Sequence, residues 1–349
     1  MRIGLVCPYD IGKPGGVQQL SGELANRLRE MGEEVVFVGA GESWFADGPG
    51  IEDVTVAAGR ATSVRANQSR APLTLSPLSW RKVRQALSDV DVVHIHEPLV
   101  PLVGWAALSL DVPTVATFHS DAPDWVGGVY RWAPWLGKRL RRARITAVSR
   151  TAARVIPENW GDPEIVPNAI DVASYDLPAT RIVNQVAFLG RDEPRKGLEV
   201  LLEAWPAVRA SAPDAELVVM GARRGEVPAG TRFTGPISGP EKRRLLASSQ
   251  VYVAPNLGGE SFGIVVLEAM AAGCAVVASD IPGFVDIAAG TVEHVPAGDA
   301  GSLASAIAGL LNDDARARSL GEMARGRARM FDWSLVAGRY RDIYAEAVS

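Results

Sequence analysis

Gly258-Gly259-Glu260-Ser261-Phe262-Gly263-Ile264-Val265-Val266-Leu267-Glu268, continued by Ala269-Met270-Ala271-Ala272-Gly273, is the stretch from which the rest of the chain can be read. An apolar run, Val251–Ala254, precedes it and a second, Ala275–Ala278, follows, giving strand, glycine-rich loop, helix, strand. Helical spacing puts Ile264, Leu267 and Met270 on one apolar face. A helix N-terminus offers unpaired N–H groups and the positive end of a dipole, both suited to phosphate. Glu260 stands just before that terminus, and Glu268 lies eight residues further on, along the helix flank. Such a set can hold a sugar nucleotide: the loop acid at sugar hydroxyls, the helix start at the diphosphate, the second acid at the ribose diol. The plainer alternative is a surface helix with two ordinary glutamates.

Outward from this unit the same rhythm repeats. Ile3–Pro8, Glu34–Gly39, Val90–Ile95, Thr114–Phe118, Ile145–Val148 and Glu164–Val166 read as strands, with helices at Gln18–Met31 and Ser79–Ser88. A second series of strands runs Val183–Phe188, Glu216–Met220, Arg232–Thr234, Val251–Ala254, Ala275–Ala278 and Thr291–His294. Helices Leu198–Ala210, Glu241–Ser248, Gly263–Ala272 and Ser302–Leu311 fall between them, and Trp333–Ala347 is a final helix. Alternating strands and helices predict an α/β protein of two Rossmann-like, doubly wound parallel sheets. Their join falls where Pro, Asp and Asn gather, around Pro167–Pro178.

At 349 residues the chain can bury two cores, and 47% hydrophobic with 22% charged residues is ordinary globular composition. No run is apolar enough to span a bilayer, and the N-terminus reads as a first buried strand, so a cytoplasmic protein is expected. Cys7 and Cys274 both sit in apolar runs, which argues against a disulfide framework or a thiolate metal site. The net charge of −4 hides two acid-free basic stretches. Residues 60–88 carry Arg60, Arg65, Arg70, Arg81, Lys82 and Arg84; residues 131–154 carry eight further cations. These suit an anionic ligand or surface, or are two solvated faces.

Ligands of doubly wound sheets bind beyond the carboxyl ends of the strands, so the loops there carry the chemistry. After the first strand comes Tyr9-Asp10-Ile11-Gly12-Lys13-Pro14-Gly15-Gly16-Val17-Gln18, which matches neither a dinucleotide fingerprint nor a P-loop. His96-Glu97-Pro98 and Phe118-His119-Ser120-Asp121 end two later strands. In the second half, Gly190-Arg191-Asp192-Glu193-Pro194-Arg195-Lys196-Gly197 sets cations beside a helix start, where Arg191 and Lys196 can neutralise a diphosphate without a metal. Arg195 reads as the weakest of these cations, a simply exposed one. His119, at a strand end, is read as functional. The pair His94 and His96 faces one side with no third ligand, and no metal is expected there. Trp125, Tyr130, Trp132 and Trp135, next to a basic run, suit a core or a membrane interface equally.

Together, Gly15-Gly16-Val17, Arg191 with Lys196, and Glu260 with Glu268 in their glycine-rich setting resemble the retaining glycosyltransferases of family GT4. Val93-His94-Ile95-His96-Glu97-Pro98, Val115-Ala116-Thr117-Phe118-His119 and Ala254-Pro255-Asn256-Leu257-Gly258 are similar to its phosphatidylinositol-mannosylating actinobacterial branch. The resemblance implies a GT-B fold, two Rossmann-like domains facing a cleft. These are 1–167, joined by the helix 333–349, for the acceptor, and 168–332 for the nucleotide sugar. It implies transfer of a hexose, mannose from GDP-mannose, with retention, onto a phosphatidylinositol-type lipid at the inner face of the plasma membrane, with no tightly bound metal.

Residue by residue, the resemblance implies that His119, Arg191, Lys196 and Glu260 serve catalysis. Gly16, Ile237, Lys242, Ser261, Phe262, Gly263, Ile264 and Glu268 would join Arg191 and Lys196 around the donor. Tyr9, Gln18 and Arg70 would meet the acceptor, and Arg81, Lys82 and Arg84 would dock a membrane. Two positions depart from the pattern. Leu99 follows Pro98 where the family has an asparagine, and Gly239 stands where a base-reading aspartate is expected. They keep open a UDP-hexose donor with a soluble acceptor such as an inositol phosphate or small sugar. A catalytically inactive nucleotide-sugar-binding protein is the alternative of another class.

Overall fold

The computed structural model describes residues 1–13, 15–41, 54–57, 61–66, 69–74, 78–120 and 134–349, without the side chains of 54–57, 61–66, 69–74 and 78. The chain divides into two compact units, Met1–Ala169 with Trp333–Ser349, and Ile170–Asp332. Trp125, Tyr130 and Trp132 lie outside the described residues, as does the side chain of Arg70.

The first unit is built on β1 (Arg2–Asp10), β2 (Glu34–Ala40), β3 (Val54–Ala57), β6 (Val92–His96), β7 (Thr114–Phe118), β8 (Arg144–Ala147) and β9 (Glu164–Ile165). They pair in parallel in the order β3-β2-β1-β6-β7-β8-β9. An antiparallel hairpin of β4 (Ala61–Ala66) and β5 (Ser69–Thr74) joins the end of β1 through Tyr9 and Leu73. Sequence periodicity missed these two and β3, because short strands with mixed polarity carry no clear alternation. Helices α1 (Gly16–Glu30), α2 (Leu78–Ala86), α3 (Val103–Leu108), α4 (Pro134–Leu140) and α5 (Arg150–Ala153) connect the strands.

The β-branched residues Val6, Val36, Val38, Val93 and Ile95 form one sheet face. Val83 and Leu87, Val103, and Leu136 and Leu140 of the helical segments close it. Each such side chain contributes about 1.5–3 kcal/mol on burial. The α2 segment is therefore amphipathic in the strict sense: Val83 and Leu87 point in, while Arg81, Lys82 and Arg84 are exposed.

The second unit holds one six-stranded parallel sheet in the order β12-β11-β10-β13-β14-β15. Its strands are β10 (Ile182–Leu189), β11 (Glu216–Met220), β12 (Thr231–Gly235), β13 (Ser249–Ala254), β14 (Ala275–Ser279) and β15 (Glu293–Val295). Helices α6 (Leu198–Ser211), α7 (Gly239–Ser248), α8 (Ile264–Ala271), α9 (Pro282–Ala288), α10 (Ala300–Asn312) and α11 (Asp314–Ala328) cover it. Val186, Phe188, Val219 and Val253 pack against Leu201, Trp205, Val208 and Ile307. Where the chain enters and leaves this unit, Ile170 N–H donates to Phe331 O (3.0 Å) and Val172 N–H to Asp332 Oδ2 (3.1 Å). The last helix, α12 (Trp333–Val348), belongs to the first unit, packs on α1, β6 and β7, and donates Trp333 Nε1–H to Glu23 (2.7 Å).

Both sheets reverse their strand order once near the middle, between β1 and β6 and between β10 and β13. At such a reversal the flanking loops splay apart and leave a crevice at the carboxyl ends.

Candidate active site

In the second unit the loops after β10 and β13 flank the reversal, and they are tied together. Leu257 N–H donates to Arg195 O at 2.9 Å. Gly197 has φ +68°, and a Cβ there would lie 1.8 Å from Pro255 O, so only glycine lets the two backbones approach this closely. Onto this frame fall Lys196, Arg195 and Asn256, all three donating to Glu260 Oε1, Arg195 at 2.6 Å and Asn256 at 3.1 Å. Oε2 takes none of the three and can accept from a ligand. Arg195 is not the exposed cation expected from sequence: its side chain is 18% exposed and also bonds Glu193 at 3.0 Å. The reason is the loop-to-loop hydrogen bond, which no local pattern reveals. Arg191 is the exposed one, 3.0 Å from Glu193. Three cations face two acids, so the cluster keeps one net positive charge for an anion.

Gly258, Gly259 and Gly263 all have positive φ, which turns the loop into the start of α8. Ser261 and Ile264 are half-buried there, while Phe262 is buried edge-on to Phe331. This helix is not a half-exposed amphipathic one. Val266 through Ala271 are all buried, because α8 lies between β14 and α11. Glu268 is consequently 6% exposed, and its burial is answered by Tyr175 OH at 2.8 Å and Lys242 Nζ at 2.5 Å, both on Oε1. An unanswered buried carboxylate would cost several kcal/mol. Tyr175 and Asn256 escaped sequence reasoning; Tyr175 is 93 residues from its partner. Ile237, half-buried, and Gly239 lie at the start of α7, capped by Ser238 Oγ accepting from Glu241 N–H.

In the first unit the corresponding loops hold a chain of buried polar groups. Gly16 opens α1 without a side-chain cap, leaving first-turn N–H groups for an anion. Gln18 is buried, and its amide braces the preceding turn by donating to Asp10 O (3.3 Å) and Lys13 O (3.5 Å). His96 Nδ1 lies 2.8 Å from His119 Nε2. His96 Nε2 is buried with no partner among the described residues. A bare lone pair is cheaper to bury than an orphaned N–H, which assigns the proton to Nδ1 and makes His96 the donor to His119. Burial holds both rings neutral: His119 is lowered to about 4, with the Asn168 side chain partly offsetting, and His96 falls well below the usual range. His94 is spent elsewhere, on Tyr344 OH (2.7 Å) and Thr117 Oγ1 (2.6 Å). Glu97 Oε1 accepts from His119 N–H (3.1 Å) and Ser120 Oγ (2.5 Å). Tyr9, at the end of β1, has its pKa raised well above the usual range by burial and then by Glu97.

Among solved structures the chain resembles a glycosyltransferase of Rickettsia africae, with a TM-score of 0.79 at 18% identity over 100% of this chain and 98% of that one. Anabaena HepE in complex with UDP gives 0.76 at 19% identity over 99% and 100%. Two doubly wound units of this kind are the GT-B fold. The family model described as Glycosyltransferase Family 4 matches residues 14–174, and that described as Glycosyl transferases group 1 matches 183–313. A phosphatidyl-myo-inositol mannosyltransferase of Mycolicibacterium smegmatis is 39% identical over 100% of this chain and 94% of its own length. One from Propionibacterium freudenreichii is 38% identical over 99% and 95%. The chain belongs to the GT4 glycosyltransferases, in the family of these mannosyltransferases.

Proposed function

We propose that this enzyme transfers mannose from GDP-mannose to the head group of a phosphatidylinositol-type lipid, with retention of anomeric configuration and without a bound metal. The observation that carries this is Glu260, held by Lys196, Arg195 and Asn256 at the strand reversal of the second unit. On this reading the donor diphosphate draws Lys196 and Arg191 toward itself, and Glu260 Oε2 accepts from sugar hydroxyls. Glu268 Oε2 takes the ribose diol. The incoming hydroxyl oxygen bonds to the anomeric carbon on the face the diphosphate leaves. The bond from that carbon to the phosphate oxygen breaks, its electron pair stays on the phosphate, and the same phosphate group takes the hydroxyl proton. Positive charge at Arg191 and Lys196 stabilises the departing dianion.

The names of the related phosphatidyl-myo-inositol mannosyltransferases support the mannosyl group and the inositol lipid. The base rests on resemblance, and Gly239 removes the carboxylate that would pair with a guanine edge. Calorimetric titration with GDP, UDP and ADP decides it. GDP binding tenfold tighter than UDP, about 1.4 kcal/mol, is the expected result. The reverse order replaces mannose by a UDP-linked hexose. For the lipid, exposed Arg81, Lys82 and Arg84 on α2 would meet anionic head groups, and no helix among the described residues is long and apolar enough to cross a membrane. Nucleotide-sugar binding without turnover over a panel of inositol lipids and soluble polyols would favour an inactive binder.

A further inference from the structure

At the carboxyl ends of β10, β11 and β12 three glycines meet in a row. Gly190 N–H donates to Met220 O (2.9 Å), Gly221 N–H to Gly235 O (2.9 Å) and Gly235 N–H to Ala222 O (3.0 Å). Gly221 has φ +90°, and a Cβ there would lie 2.8 Å from Gly190 O, so these strand ends close up only without side chains. The result is a shelf of bare backbone, which begins where the loop of Arg191 and Lys196 leaves β10.

Arg223 covers the far end of this shelf. Its neighbour Arg224 is pinned toward β10, forked onto Asp192 at 2.9 and 2.7 Å and bonded to Glu199 at 2.5 Å. Arg223 turns the other way, toward β12, and lies across Gly235 with its Cζ 3.1 Å from where a Cβ would be. Gly235 is buried beneath it, whereas Arg223 itself is exposed. No hydrogen bond or ion pair engages its guanidinium among the described residues. Past Gly235 the chain runs through Pro236 and Ile237 to Ser238, which caps α7, and Lys242 of that helix bonds Glu268. One short segment, 235–242, thus joins the guanidinium to the acid assigned to the ribose.

Gly239 leaves the N1–H and amino edge of guanine without a carboxylate. The other edge of guanine presents two adjacent acceptors, O6 and N7, and the fork of a guanidinium matches that pair. Adenine offers one acceptor beside an amino donor there, and uracil O4 has no acceptor next to it.

We propose that Arg223 is the specificity-determining residue for the donor base, two of its N–H groups donating to O6 and N7 of a guanine laid along the glycine shelf. This rests on the nucleotide-sugar reading above, and deepens its account of the donor.

The test is calorimetric titration of the full chain with GDP, 7-deaza-GDP, ADP and UDP, comparing wild type, Arg223→Met and Arg223→Lys. The lysine variant keeps the charge and loses the fork. In the wild type, 7-deaza-GDP, which lacks the N7 acceptor, binds about fivefold more weakly than GDP. In both variants GDP weakens by about tenfold, while ADP and UDP stay within about threefold and Tm is that of the wild type. Equal binding of GDP and 7-deaza-GDP by the wild type overturns the proposal. So does an equal loss for all three natural diphosphates, which would be charge alone, or full GDP affinity in Arg223→Lys. A GDP preference that survives in Arg223→Met removes Arg223 and leaves the donor reading standing. Should the wild type bind UDP as tightly as GDP or more so, the GDP-mannose reading fails, and the GDP-to-ADP ratio judges Arg223 by itself. A GDP advantage over ADP that vanishes in Arg223→Met upholds the proposal; an unchanged ratio, or no advantage in the wild type, ends it.

Discussion

Lys196 and Glu260 neutralise each other in this structure, yet each is assigned to a different part of a nucleotide sugar. That pairing has a consequence for mutagenesis. Removing Lys196 takes away a charge that would face the leaving diphosphate, and the loss belongs to kcat: Lys196→Ala is expected to lower it roughly 10²–10³-fold. Glu260→Ala should lower turnover similarly while leaving nucleoside diphosphate affinity intact or raised, because it frees two cations for the phosphates. Steady-state assays with calorimetric GDP titration separate the two, and full activity in both variants removes the assignment. Gly197→Ala tests the frame instead of the chemistry. A methyl group 1.8 Å from Pro255 O at φ +68° must push the two loops apart. A destabilisation of roughly 2–4 kcal/mol is expected from overpacking and strain together, read by denaturant unfolding. Glycine and lysine at 196–197 were legible in the sequence. That Arg195 turns inward was not, because its partner lies 65 residues away.

At the scale of elements, β6, β7 and α12 share one buried polar seam. His94 is bonded by Tyr344 and Thr117, Thr117 by Thr146 (2.6 Å), and Tyr340 lies 3.4 Å from Thr117. Tyr344→Phe leaves His94 Nδ1 without its partner in the core, and a loss of about 1–3 kcal/mol is expected. The seam also sets a pH dependence. Burial lowers His94 to about 3 and His119 to about 4, so the folded state resists protons that the unfolded chain takes up near its ordinary 6.5. Stability is therefore complete above pH 6.5 and falls as the pH drops toward 4, by up to about 1.4 kcal/mol per pH unit for each histidine. Glu97, shifted upward, works in the opposite direction over part of that window. Thermal melts at pH 7.5, 6.0 and 5.0 should show Tm falling, with a shallower slope in His94→Gln. A flat profile would mean the rings are not held neutral.

For the molecule as a whole, the charge pattern makes the prediction. Arg81 and Lys82 are exposed on α2, whereas Arg84 is tied to Ser109 O at 3.1 Å. In the second basic stretch, Arg139 is held by Asp111 (3.0 Å), while Lys138, Arg141, Arg142 and Arg144 are exposed. Trp135 is 39% exposed and edge-on to Trp105, a placement compatible with an interface. Sedimentation with phosphatidylinositol-containing vesicles should show binding that falls steeply with salt and weakens by about 1 kcal/mol for each of Arg81 and Lys82 replaced by glutamine. Removing Arg84 should also lower stability slightly, since it loses a contact. A protein that stays wholly in the supernatant at low salt does not work at a membrane surface.

Amino-acid sequence alone settled the alternation of strands and helices, and it pointed to a join around Pro167–Pro178 and to the loops where charged residues gather. It could do so because buried parallel strands are continuous apolar runs, and because glycines with cations at strand ends have few other uses. The tertiary structure alone decided which of these groups meet. Strand order brings the loops after β10 and β13 together across some 60 residues of chain, turning Arg195 inward and setting three donors on Glu260. Burial of α8 from Val266 to Ala271 follows from packing on both sides, so its spacing looked amphipathic although little of it faces water. Likewise, His-Glu-Pro is only a tripeptide until β1 and β7 flank β6; then His96 meets His119 and Glu97 meets Ser120 beside Tyr9. Periodicity is a local property of the chain, whereas the pairing of charges across a strand reversal is set by topology.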